Sequence, residues 1–118
     1  MSSQFKQHFV LLAAYNKWAF TTLFKSLQKI PNDHYYKNMG LFFNSIHGTL
    51  NHILMADVVW HTRLSGKTVD PSISKLWSSS ASDWENYIKD RQEVEKRIMQ
   101  QCDTWIQFIN DLPVEKVL

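Results

Sequence analysis

The sequence predicts an all-α fold, a helical bundle built on three long helices. Two observations carry this. Apolar residues recur at intervals of three and four over three long stretches, the mark of one helix face. Only three glycines and three prolines punctuate the 118 residues, and no alternating strand pattern of useful length appears.

The first stretch covers residues 3–30. Phe5, Phe9, Leu12, Tyr15, Trp18 or Ala19, Leu23, Leu27 and Ile30 form its apolar face. Ser2 or Ser3 can cap its start. Pro31 stops it, because proline cannot continue the hydrogen-bond ladder. Residues 32–44 connect to the next helix, and their Leu41-Phe42-Phe43 run is expected to fold back onto the core.

The second helix begins near Ser45 and ends at Ser65-Gly66, where glycine suits a helix C-terminus. Ile46, Leu50, Ile53, Leu54, Val58 and Leu64 make it apolar over much of its circumference, which predicts a central position. Residues 67–81, with Pro71 and Ser78-Ser79-Ser80, read as a loop. Ser82-Asp83-Trp84-Glu85 fits a capping box. The third helix then runs to Leu112 and ends at Pro113. Trp84, Tyr87 or Ile88, Arg91, Val94 or Glu95, Ile98, Cys102, Trp105, Ile109 and Leu112 lie along one strip. Arg91 is expected to snorkel from that strip or pair with an acid.

Length bounds the chain to one domain, residues 1–118. Net charge is +2, with 13 basic and 11 acidic residues scattered along the chain. A nucleic-acid partner is therefore not expected, since it calls for a concentrated phosphate-neutralising patch. The single cysteine, Cys102, excludes an intrachain disulfide and reads as a small core residue. No run approaches the ~20 apolar residues of a membrane span, and the N-terminus has no signal-sequence pattern. A soluble, cytoplasmic protein without a membrane partner is the default expectation.

Three of the five histidines, His47, His52 and His61, fall on the second helix. At ~100° per residue His47 and His52 point about 140° apart, so they do not form a two-ligand unit. His52 shares its side with Met55, Ala56 and Val59. Spacing alone favours a core histidine bonded to a facing side chain over a metal ligand. His47 sits in the first turn beside Gly48 and is expected to be partly exposed or to cap backbone groups. Asp57 and His61, four apart, are expected to pair on the helix surface, or to orient an imidazole from outside a metal shell. His8 and His34 carry no pattern. No glycine-rich phosphate loop, Cys-x-x-Cys or Gly-x-Ser-x-Gly is present.

Tyr15-Asn16-Lys17-Trp18-Ala19 in the first helix is followed by Gly40-Leu-Phe-Phe-Asn-Ser-Ile-His-Gly-Thr-Leu-Asn-His-Ile-Leu-Met-Ala-Asp57, then by Trp60 and Arg63-Leu64-Ser65-Gly66. This pattern resembles the DinB family of metalloproteins, over about residues 5–112. The resemblance implies a DinB/YfiT-like up-down four-helix bundle, here with three long helices and the fourth missing. It implies a divalent metal, nickel or zinc, held by three histidines. One matches His52; the other two form a His-x-x-x-His pair on the fourth helix, which this sequence lacks. His47 is the second candidate ligand here, and no catalytic or cofactor-binding residue is assigned. The activity implied is that of a metal-dependent hydrolase or thiol S-transferase, in which the metal activates a thiol or water towards a small-molecule substrate. Phe20 departs from the family, which often carries a polar residue there.

A four-helix bundle reduced to three helices leaves an apolar trough. The expectation is that a second copy covers it in a two-fold homodimer. The alternative to a metal function is a truncated, non-catalytic helical interaction module.

Overall fold

A computed structural model describes residues 2–78 and 80–113. Its elements are α1 (Ser2–Leu27), α2 (Asn32–Tyr35), α3 (Ile46–Leu64), α4 (Pro71–Ser74), a 3-10 turn (Lys75–Ser78), α5 (Ala81–Tyr87) and α6 (Arg91–Asp111). The fold is all-α, with three long helices. The cap expected from Ser2 or Ser3 lies outside the described side chains.

α6 is the element on which the others lean. It packs against α1 along one side and α3 along another, while α1 and α3 scarcely meet. Lys6 Nζ donates to the Asn110 carbonyl at 2.9 Å and Lys17 pairs with Asp103 at 2.7 Å. At the other end of α1, the Arg91 guanidinium donates to the carbonyls of Leu27 and Ile30. α1 and α6 are therefore antiparallel. Gln101 meets the Asp57 carbonyl, and the His61 ring packs on Trp105 and Phe108, so α3 and α6 run in the same direction. Residues 65–90 provide the return path between them.

Arg91 neither snorkels nor pairs with an acid, as was expected. It closes the C-terminal end of α1, where unsatisfied carbonyls favour a cation, and its guanidinium lies 4.2 Å from the centre of the Tyr35 ring. α3 is central, packed between α5 and α6. Leu50, Leu54 and Met55 join Trp84, Val94, Ile98 and Cys102 in the core.

Several expectations change in the structure. The apolar face assigned to α1 is only partly buried. Phe24 and Leu27 reach the core, and Ala13 is buried as well, whereas Phe5, Phe9, Leu12, Tyr15, Trp18 and Leu23 remain 41–63% exposed. α6 covers one edge of the apolar arc and nothing described covers the rest. Of Leu41-Phe42-Phe43, only Phe43 folds back, and Phe42 is 87% exposed.

The third long helix is also broken in two. Ile88 is extended and Asp90 starts a new helix, its side chain accepting from the Glu93 N–H. The box that caps α5 uses Ser80 and Asp83, not Ser82 and Glu85. The 67–81 segment contains short helical turns, with Asp70 accepting from the Ser72 N–H and Pro71 at the first helical position.

Candidate histidine site on α3

Ser45 starts α3 as its cap, accepting from the Gly48 N–H at 3.0 Å. Ser45 Oγ also donates to one oxygen of Glu85, and Asn44 Nδ2 donates to the other at 2.8 Å. Asn44 takes a positive φ of 68°, which asparagine tolerates. Glu85 thereby ties the start of α3 to α5. Gly48 makes the approach close: a Cβ there would lie 2.1 Å from the Phe43 carbonyl oxygen and 2.9 Å from Glu85 Cγ.

His47 follows from this anchoring. Instead of being partly exposed, it is 1% exposed, because residues 35–36 and the end of α5 close over the first turn. Nε2 lies 2.6 Å from the Ile88 carbonyl oxygen, which can only accept, so Nε2 carries the proton. Nδ1 then accepts from the Tyr35 hydroxyl at 2.8 Å. Both ring nitrogens are committed. Burial pushes the His47 pKa down, with the Ile88 carbonyl opposing it. Burial also pushes the Tyr35 phenol upward. Asn51, fully buried, completes the network: its amide donates to the carbonyls of His47 and Ile88, and its oxygen accepts from the Ile88 N–H.

His52 occupies a different environment. Its ring stacks on Phe43 at 4.1 Å and 19°, and meets Trp84 edge-on at 4.9 Å. It is partly exposed, and burial lowers its pKa, favouring the neutral imidazole. The packed, partly apolar setting expected for it is what the structure shows. The two histidines do not converge, in keeping with their angular separation on the helix.

Asp57 and His61 do not form the expected surface pair. Burial raises the Asp57 pKa, with the neighbouring Trp105 side chain opposing it. His61 packs against Trp105 and Phe108 at 5.5 and 5.4 Å. Beside them Cys102 is buried, and burial, with the charge of Asp57 next, pushes its thiol up to about 11. Asn16 Nδ2 reaches the sulfur at 3.6 Å. At neutral pH this is a thiol in a core, not a nucleophile.

Among the described residues no three His, Cys, Asp or Glu side chains stand close enough together to hold a metal ion. A cleft of about 440 Å³ opens between α3 and α6, lined by Leu54, Met55, Val58, Tyr87 and Arg97, and neither His47 nor His52 lines it. Tyr35 and Asn51 help build the histidine setting and were not singled out in the sequence, and Glu85 was read there only as part of a capping box. The contacts that give them this role reach partners 12 to 41 positions away, so no local pattern announces it.

The DinB family model matches residues 1–115. The chain belongs to the DinB family. Protein DinB of Bacillus subtilis (strain 168) is 32% identical to it over 63 residues, which is 53% of this chain and 37% of that relative. The match thus spans little more than a third of the relative's length. No solved structure matches the chain. Among the described residues of this DinB-family chain, no helix is long and apolar enough to cross a membrane.

Proposed function

We propose that this DinB-family chain is a divalent-metal-binding protein of the hydrolase or thiol-transferase type, with His52 as its one ligand from α3. The observation that supports this is the contrast between the two candidates. His52 is a partly exposed imidazole that burial biases to the neutral form, the form that ligates metals. His47 has both nitrogens spent on Tyr35 and Ile88, so it serves the fold. Nickel and zinc sites take three or more protein ligands. The described residues supply no such set around His52, so no further ligand and no reaction step is assigned to this chain.

The test is elemental analysis of untagged protein and of two variants. His52→Ala is expected to abolish bound nickel or zinc and lower thermal stability by no more than ~2 kcal/mol, as a partly buried ring loss does. His47→Ala is expected to unfold the protein or cost more than that, with metal lost only through unfolding. Protein that is folded, metal-free and indifferent to a chelator would sink the metal reading.

The second reading is a non-catalytic helical interaction module. What favours it is the set of exposed apolar side chains along α1.

A further inference from the structure

The cleft between α3 and α6 is a concave surface separate from the histidine setting. Its volume, about 440 Å³, falls in the range of small-molecule sites. Its floor is apolar. Leu54 and Met55 of α3 are each 2% exposed, and Val58 stands one turn on from Leu54. Its wall is a strip of α6. Glu93, Lys96, Arg97, Gln100 and Thr104 recur at intervals of three and four, so they share one side of that helix. Val94, Ile98 and Cys102 take the core side and are fully buried.

The polar groups over this floor are nearly all donors. Lys96 is exposed, and its ammonium enters neither of the ion pairs found among the described residues. Arg97 spends Nε on Glu93 at 3.2 Å, in a half-exposed pair that solvent weakens. The two terminal nitrogens of the guanidinium keep their hydrogens for another acceptor. Tyr87 brings a hydroxyl from the end of α5, and Gln100 brings an amide. The one carboxylate of the lining, Glu93, is already paired. Two cations and one acid leave the lining a net charge of +1. A cation is repelled there, and a neutral apolar molecule gains nothing from the donors. An organic anion with an apolar body meets both halves of the cleft.

We propose that this cleft binds a small organic anion, a carboxylate on an apolar body of medium-chain length. The body lies on Leu54, Met55 and Val58, and the carboxylate meets Lys96 and Arg97. The proposal does not rest on the metal reading, since neither His47 nor His52 lines the cleft.

Titration of the isotope-labelled 118-residue chain with octanoate, read from amide chemical shifts, tests it. Saturable shifts are expected in residues 93–104 and 54–58, with half-saturation near ~1 mM for a ligand of about ten heavy atoms. Octylamine, the same chain with the opposite charge, is expected to bind at least ~10-fold more weakly. Lys96→Glu should weaken octanoate binding ~10-fold, and Glu93→Gln, which frees the Arg97 guanidinium, should tighten it ~3-fold. Lys67→Glu, the same charge change on an exposed residue outside the cleft, should leave binding unchanged. Circular dichroism checks that each variant folds. If Lys96→Glu does not, Lys96→Gln replaces it, with an expected ~3-fold weakening. Shifts confined to α1, equal binding of octanoate and octylamine, or octanoate binding indifferent to the Lys96 variants would overturn the proposal. So would the absence of saturable shifts up to ~20 mM octanoate.

Discussion

His47 shows how one side chain can be structural on a helix that also carries a ligand candidate. Its folded pKa lies below the ordinary 6.5, so the unfolded chain takes up a proton that the folded chain refuses. The resulting stability is complete above pH ~6.5 and is lost as the pH falls below it, by up to about 1.4 kcal/mol per pH unit. His52 adds a loss in the same direction. Asp57 and Glu95, whose carboxyls burial pushes upward, act oppositely at the more acid end. Thermal melts between about pH 7.5 and 5.5 should therefore show a falling melting temperature. A flat profile would mean that His47 titrates normally and is not buried as described. Gly48, one residue on, is expected to tolerate no side chain. Gly48→Ala forces the Phe43 carbonyl and Glu85 apart and should cost about 2–3 kcal/mol, read as a lowered denaturant midpoint. An unchanged midpoint would mean that the α3–α5 junction is looser than its hydrogen bonds suggest.

At the scale of the element, the instructive case is the break at residues 88–90. Periodicity carries an unbroken apolar strip from Trp84 to Leu112, and it reads as one helix. The local signal for a new start was present in Asp90-Arg-Gln-Glu93, an acidic cap with Glu three residues on. What decides the break is tertiary. Asn51 bonds both backbone groups of Ile88, and His47 takes its carbonyl as well, which holds Ile88 extended. Removing the cap with Asp90→Ala should cost ~1 kcal/mol. Asn51→Ala should cost more, about 2–3 kcal/mol, because it strands the Ile88 N–H and empties a fully buried site, while His47 still holds the Ile88 carbonyl. Chemical denaturation of the two variants side by side tests the order, and equal losses would mean that capping alone sets the boundary. By contrast, the Ser45 start and Gly66 end of α3 were legible, because cap chemistry is local. α1 was half legible. Its apolar arc is real, but a period cannot say which neighbour covers which side, and α6 covers only one.

For the whole molecule, α1 is the long helix joined by the fewest others. It leans on α6 along one edge, is fastened at its C-terminal end by Arg91, and scarcely touches α3. Away from that end, the Lys6 hydrogen bond and the Lys17–Asp103 ion pair are exposed, where solvent screens them and they hold little. α3, by contrast, is packed from two sides by α5 and α6. Local opening follows buried contact, so the N-terminal half of α1 should open well before α3. Amide hydrogen exchange in dilute protein should show residues 5–15 exchanging fastest among the long helices and residues 50–59 slowest. Protection of residues 5–15 equal to that of residues 50–59 would mean that α6 alone holds α1 as firmly as two helices hold α3.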